Sequence, residues 1–373
     1  MKVLVVFGTR PEAIKLAPVI TALRRHPDIE VQVVTTAQHR ELLDQVLTAF
    51  TIVPDVDLQV MRPQQSLAEL SGRVLVSMDS LLTSAAADLL IVQGDTTSAF
   101  VSGLAAFYRG VPVAHVEAGL RTGTPTNPFP EEMNRRLTSV LTSLHFAPTQ
   151  RAHDSLVAEG VAPNRILVTG NTVVDALQQI RTTDGFQAAR SRIQINPNER
   201  LLLVTLHRRE SWGAPLAGMC GALRAIVDAR PNVRIVIPVH LNPAVHDTIH
   251  RLLGGHPRVS LVEPMEYFEF IATMEASWLA LTDSGGVQEE APVLGCPVLI
   301  LRETTERAEA VEQGVARLVG TDPGTITSTV LGLLDHPDER DGMARAVSPF
   351  GDGHAARRIA ERIARMGSEQ ADG

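Results

Sequence analysis

Trp278-Leu279-Ala280-Leu281-Thr282-Asp283-Ser284-Gly285-Gly286-Val287-Gln288-Glu289-Glu290-Ala291-Pro292-Val293-Leu294 contains a complete strand–turn–helix unit. The apolar run at 278–282 reads as a buried parallel strand. The residues through Ala291-Pro292-Val293-Leu294 read as a helix. Between the two, Ser284-Gly285-Gly286 makes a turn whose backbone a ligand can approach closely. A strand, a glycine turn and a helix N-terminus form an anion site, because first-turn N–H groups have no partner inside the helix and the helix dipole favours negative charge. Glu289 and Glu290 follow at once, and carboxylates suit sugar hydroxyls better than a second phosphate. The stretch is read as a nucleotide-sugar pocket. A tight turn with solvated glutamates is the plain alternative.

The same strand–turn–helix alternation extends in both directions. Towards the N-terminus, apolar strands are expected at 2–7, 31–35, 89–93, 113–116, 145–147 and 166–168. Helical patterns fall between them at 13–25, 39–50, 66–85 and 131–143. A break follows Gly170-Asn171-Thr172. One helix is expected over 173–192, and a polar turn at Asn196-Pro197-Asn198-Glu199 precedes a second alternation. Its strands are placed at 201–206, 233–239, 259–262, 278–282 and 297–301, with helices at 215–229 and 243–253. Alternation of this kind predicts an α/β protein with two Rossmann-like, doubly wound parallel sheets. Gly351-Asp352-Gly353-His354-Ala355-Ala356 fits G-x-G-x-x-A nominally. It follows Ser348-Pro349-Phe350 rather than a strand, so it is read as the start of a closing helix.

Bulk properties narrow the function. The chain has 373 residues, enough for two domains with real cores. Its formal net charge of −8 argues against a nucleic-acid surface. No apolar run approaches the roughly 20 residues of a membrane span, and 1–7 is too short for a signal peptide, so a cytoplasmic protein is expected. Cys220 and Cys296 read as buried thiols, and neither has a neighbour at metal-ligand spacing. Of 34 Lys and Arg residues only Lys2 and Lys15 are Lys, which leaves 34 − 2 = 32 Arg. A Lys at position 15 is therefore read as one used for its compact ammonium, with chance retention as the alternative.

In open α/β sheets ligands sit at the carboxyl ends of the strands. The first strand ends in Gly8-Thr9-Arg10-Pro11-Glu12, with Lys15 one turn into the helix; Arg10 and Lys15 could meet phosphate. Residues 89–93 lead to Asp95 and residues 113–116 to Glu117. A Glu at the end of an apolar strand is costly unless paired or used. Asp95 could be only an N-cap, and His115 is read as a core histidine. Glu131 and Arg135 are spaced i, i+4 and could form a surface ion pair. Yet Asp95, Glu117 and Glu131 fall on one rim, as proton transfer requires. The second domain delivers His207-Arg208-Arg209-Glu210, His240, Ser284-Gly285-Gly286 and 302–307 to its own rim. Two such rims facing across a cleft define the GT-B type of architecture.

The chain resembles the non-hydrolysing UDP-N-acetylglucosamine 2-epimerases over nearly its whole length. The resemblance rests on Gly8-Thr9-Arg10-Pro11-Glu12-Ala13-Ile14-Lys15, Thr36-Ala37-Gln38-His39-Arg40, Gln93-Gly94-Asp95-Thr96-Thr97 and His115-Val116-Glu117-Ala118-Gly119-Leu120-Arg121. It continues through Pro128-Phe129-Pro130-Glu131-Glu132-Met133-Asn134-Arg135, Val168-Thr169-Gly170-Asn171-Thr172, His207-Arg208-Arg209-Glu210, 282–292 and 302–307. It implies two domains, 1–170 with the closing helix 352–366, and 171–351. It implies reversible epimerisation of UDP-GlcNAc to UDP-ManNAc, with UDP eliminated to give 2-acetamidoglucal and then re-added. No cofactor is implied, and a homodimer is expected.

The resemblance also implies roles. Asp95, Glu117 and Glu131 would divide the proton transfers, without an assignment among the three, and His207 would lie near the diphosphate. Arg10, Lys15 and Ser284-Gly285-Gly286 would stabilise departing UDP; Arg135 belongs to the same set of substrate contacts. Glu290 would hold the ribose, and Phe270 and Arg307 would line the nucleotide pocket. Gln38 and His39 match residues of an activating second UDP-GlcNAc site, but Glu41 and Gln64 depart from the activated pattern and argue against activation. A GT-B glycosyltransferase, a hydrolysing 2-epimerase and a non-catalytic UDP-sugar sensor are the alternatives.

Overall fold

Thirteen short apolar segments form two all-parallel sheets in a computed structural model that describes residues 1–36, 40–62 and 64–371, without the side chains of 40–42, 44–45 and 369–371. The first sheet contains β1 (Lys2–Phe7), β2 (Glu30–Thr35), β3 (Val56–Asp57), β4 (Leu89–Gln93), β5 (Val113–Val116), β6 (Leu144–Ala147) and β7 (Ile166–Val168). Its order is β3-β2-β1-β4-β5-β6-β7. The second contains β8 (Arg200–Thr205), β9 (Val233–Pro238), β10 (Val259–Val262), β11 (Leu279–Thr282), β12 (Val298–Ile300) and β13 (Ala316–Leu318). Its order is β10-β9-β8-β11-β12-β13.

Both faces of each sheet are covered, which explains the unbroken apolar runs. Leu4 and Val6 of β1 pack with Leu90 and Val92 of β4, against Val74 and Met78 of the helix Leu67–Ala85 and Val101 and Ala105 of the helix Thr97–Tyr108. Val3, Val5 and Phe7, which point the other way, are buried as well. In the second sheet Leu202 and Val204 pack with Ile235, Ile237, Leu279 and Leu281, under Met219, Leu223 and Ile226 of the helix Ala214–Ala229.

The chain separates into one unit of Met1–Ile180 with Phe350–Gly373 and another of Arg181–Pro349. The boundary falls at Ile180 rather than at the sequence break after Gly170. Asn171 N–H donates to Phe350 O at 2.7 Å. The Asp175 carboxylate accepts from the N–H groups of Ala355 and Ala356 at 3.2 and 2.9 Å, capping the closing helix Ala355–Ala371. The helix Thr172–Arg181 is thereby tied to the first unit. The single helix expected over 173–192 is two, Thr172–Arg181 and Asp184–Arg192, because the Thr183 hydroxyl accepts from Phe186 N–H and starts a second one.

In each sheet the chain direction of winding reverses once, between β1 and β4 and between β8 and β11. These switch points leave a crevice at the carboxyl ends of the central strands. The sequence motifs fall there.

Candidate active site

The first rim is built on the turns after β1, β4 and β5. The helix Arg10–Leu23 begins three residues ahead of its apolar pattern, because Glu12 caps it. The Glu12 carboxylate accepts from Gly8 N–H at 3.0 Å, Thr9 N–H at 2.7 Å and the Thr9 hydroxyl at 2.8 Å. Its other oxygen accepts from the Thr96 hydroxyl at 2.7 Å, which ties the β1 turn to the β4 turn across the switch point. Burial pushes the Glu12 carboxyl above its usual range, and the four hydrogen bonds only moderate this.

That frame presents Lys15 and Asp95. Lys15 Nζ donates to Glu117 Oε2, and both side chains are almost fully buried. Asn171 Nδ2 donates to the same oxygen at 3.0 Å. Glu117 has φ +65°, an uncommon conformation for a residue with a side chain. Arg135 Nη2 pairs with Asp95 Oδ2, and Asn134 Nδ2 donates to Asp95 O at 3.0 Å. Arg135 is anchored from behind by Glu132, whose fully buried carboxylate lies 3.5 Å from it, accepts from Arg136 Nε at 3.0 Å and takes Thr122 N–H at 3.1 Å. The Glu131–Arg135 surface pair that the spacing allowed is not seen: Arg135 is buried and turned to Asp95 and Glu132. Glu131, at the first position of the helix Glu131–Leu141, is partly exposed and has no ion-pair partner among the described residues.

The second rim is centred on Asp283, which is fully buried after β11. His207 Nδ1 lies 3.0 Å from Asp283 Oδ1. The other oxygen accepts from the N–H groups of His207 and Arg208, each at 2.9 Å. Burial raises the Asp283 carboxyl, but His207 and these two N–H groups outweigh it and hold the group below the usual carboxylate range. Asp283 thus joins the β8 and β11 ends across the second switch point and fixes the imidazole. The His240 ring stacks on His207 with centroids 6.2 Å apart.

The turn after Asp283 differs in detail from the sequence reading. Ser284 N–H donates to Thr282 Oγ1 at 2.9 Å, and Gly285 and Gly286 are the first residues of the helix Gly285–Val293. Arg307 lies over Gly285: a Cβ there would come within 2.8 Å of Arg307 Nη1. Arg307 is held by Glu289 Oε1, 2.8 Å from Nε and 2.7 Å from Nη2, and by Glu306 at 3.3 Å. Glu306 also takes Arg302 at 3.0 Å. Burial would raise the Glu306 carboxyl, but Arg307 and Arg302 bring it down to about 2. Glu290 is buried and accepts from the Tyr267 hydroxyl at 3.2 Å. Phe270 is half-buried on the helix Tyr267–Ala276.

The structure thus groups Arg10, Lys15, Asp95, Glu117 and Arg135 around the turns after β1, β4 and β5, while Glu131 stands at the start of the helix that carries Arg135. It brings His207, Ser284, Gly285, Gly286, Glu290 and Arg307 to the second rim, with Phe270 on a helix of the same unit. Gln38 and His39 lie outside the described residues. Asp283, Asn171 and Glu132 were not singled out from the sequence as site residues, and Glu289, read with Glu290 as a carboxylate for sugar hydroxyls, holds Arg307 instead. Asp283 stood in the opening stretch, at the end of a wholly apolar strand, and the cost of burying it there was the available signal. Among the described residues no group of three or more His, Cys, Asp or Glu side chains is placed to hold a metal ion.

Two doubly wound α/β units, one with paired carboxylates at its switch point and one with a histidine–aspartate pair and a glycine-opened helix at its own, define a class of nucleotide-sugar enzyme. Known proteins place the chain within it. The sequence profile of UDP-N-acetylglucosamine 2-epimerase matches residues 21–364, and the chain belongs to that family. A UDP-N-acetylglucosamine 2-epimerase of Salmonella typhimurium is 50% identical over 369 residues, covering 97% of this chain and 98% of its own. One of Bacillus subtilis is 48% identical over 363 residues, covering 97% and 95%. The crystal structure of UDP-GlcNAc 2-epimerase from Neisseria meningitidis, bound to UDP-GlcNAc, superposes with a TM-score of 0.93 at 44% identity, covering 98% of this chain and 100% of the other.

Proposed function

We propose that the chain interconverts UDP-GlcNAc and UDP-ManNAc by inversion at C2, with proton chemistry assigned to the first unit's rim and UDP contacts to the second's. The carrying observation is the split of chemistry between the units: carboxylates paired with Lys15 and Arg135 on one, and an anion-facing helix N-terminus beside the His207–Asp283 pair on the other. The C2 proton is not acidic, so its removal is coupled to loss of a good leaving group. One carboxylate takes the C2 proton while the C1–O bond breaks and its electrons leave with UDP, giving 2-acetamidoglucal. UDP oxygen then returns to C1 and a proton to the opposite face of C2. Inversion needs proton transfer on both faces, for which Asp95, Glu117 and Glu131 are the candidates.

On this reading Arg10, Arg135 and the N–H groups of Gly285 and Gly286 stabilise the charge that develops on UDP, and Lys15 does so while holding Glu117. Phe270, Glu290 and Arg307 shape the nucleotide side. Among the described residues no helix is long and apolar enough to cross a membrane. A homodimer is supported by Met133, Leu137 and Val140, which expose apolar side chains along one stripe of the helix Glu131–Leu141, at spacings of i, i+4 and i+7. The test is incubation with UDP-GlcNAc alone. Formation of UDP-ManNAc without an acceptor supports the reading; an absolute need for an acceptor, or release of free ManNAc with UDP, overturns it.

A further inference from the structure

His115 is a buried titratable side chain next to the turns that carry Asp95 and Glu117, and the proposed chemistry gives it no task. It is fully buried in β5, in register with Val92 of β4 and His145 of β6. Its Nε2 lies 2.7 Å from Gly94 O. A carbonyl oxygen only accepts, so Nε2 carries the proton and Nδ1 does not. Nδ1 is buried and has no partner among the described residues.

Gly94 immediately precedes Asp95 and has φ +69°. Its own N–H donates to Val116 O at 3.0 Å. Gly94 is thus held to β5 twice, once by main chain and once by the His115 ring. Two residues beyond His115 stands Glu117, in its uncommon positive-φ conformation. The ring therefore spans the two turns that carry Asp95 and Glu117, covalently joined to one and hydrogen-bonded to the other.

We propose that His115 is a positioning residue that sets the separation of the Asp95 and Glu117 carboxylates, acting as a neutral donor to Gly94 O. The proposal rests on the reading that these carboxylates carry the proton transfers. Burial keeps the ring neutral by pushing its pKa down to about 4, against the opposing pull of Gly94 O; Arg121 and Arg135 push the same way as burial. The geometry defines what a substitute must do. Gln places an amide N–H near the position of Nε2, Asn places it one methylene short, and Leu fills space without donating.

The experiment compares kcat, KM and thermal unfolding for His115→Leu, His115→Asn and His115→Gln, with Asp95→Asn beside them. His115→Leu and His115→Asn are expected to lose about 10²-fold in kcat with KM changed by less than about threefold, while His115→Gln recovers to within about tenfold of the parent. A purely structural role would lower the melting temperature without separating Gln from Asn or Leu in kcat. If His115→Leu does not fold, the Asn–Gln contrast decides. Unchanged kcat in His115→Leu or His115→Asn, or a folded His115→Gln as impaired as they are, overturns the proposal. Full activity in Asp95→Asn overturns the underlying carboxylate reading instead, so the two failures are distinguishable.

Discussion

Lys15 Nζ donates to Glu117 Oε2, joining the first helix of the chain to the end of β5 through a pair that is almost wholly buried. Lys15 is one of two lysines in a chain that uses Arg everywhere else for its basic residues. Its compact ammonium meets a carboxylate oxygen that also receives Asn171 Nδ2. Lys15→Met removes the counter-charge of a buried anion. It is expected to destabilise the first unit by about 3 kcal/mol in denaturant titration and to lower kcat by at least about 10²-fold. Parental stability and turnover in this variant would show that the pair has no role in either.

Asp283 is in contact with His207. It accepts two backbone N–H groups with one oxygen and orients the imidazole with the other. Asp283→Asn keeps the shape but puts an amide where the ring and the backbone need acceptors. Turnover should drop by about 10²-fold, while His207→Asn alone and the double variant should lose similar amounts, because the two residues work as a unit. Losses that add across the double-mutant cycle would contradict a shared role.

Gly285 and Gly286 are adjacent but not equivalent. A Cβ on Gly285 would press on the guanidinium of Arg307, which Glu289 and Glu306 hold in place. Around Gly286 the nearest atom to a Cβ is Ser284 Oγ at 3.9 Å. Gly285→Ala should therefore lower thermal stability, and Gly286→Ala should not. Calorimetric UDP binding is expected to weaken in both, by about tenfold or more, because backbone close to phosphate tolerates little added bulk. Parental UDP affinity in Gly286→Ala would remove this turn from the phosphate site.

The buried histidines predict a particular acid response. Burial pushes His145 down to about 3, with His115, Arg165 and Arg121 adding to the effect. The native state holds this ring neutral, whereas the unfolded chain binds a proton below about pH 6.5. Stability contributed by the neutral ring is full above that pH and declines as pH falls from 6.5 toward 3. Glu12 and Asp175, both raised by burial, act in the opposite sense. The informative quantity is thus a difference: relative to His145→Leu, the parent should lose about 1.4 kcal/mol of stability per pH unit between 6 and 4. Equal slopes in urea titrations at these pH values would contradict the assignment.

Much of the fold could be read from the chain because buried parallel strands leave continuous apolar runs. What escaped was short or locally determined. β3 has two residues, and β13 is Ala316-Arg317-Leu318 with two of its three residues exposed, so neither leaves an apolar run. The break between Thr172–Arg181 and Asp184–Arg192 depends on one hydroxyl cap, and the start of Arg10–Leu23 depends on Glu12. The positions of Asp95, Glu117, His207 and Ser284 were legible because each follows a strand. Their partners were not, since Asn171–Glu117 and Asp283–His207 join positions far apart in sequence, and no spacing rule connects them. Arg135 shows the reverse case: local spacing pointed to Glu131, and the tertiary fold turned it to Asp95.

The central claim is that a carboxylate rim removes and returns the C2 proton while the other unit keeps hold of UDP. The most direct measurement is turnover of UDP-GlcNAc in D₂O without an acceptor, with C2 of the product sugar followed by NMR or mass spectrometry. The account predicts UDP-ManNAc carrying solvent deuterium at C2. UDP-ManNAc formed with the original proton retained at C2 would contradict it.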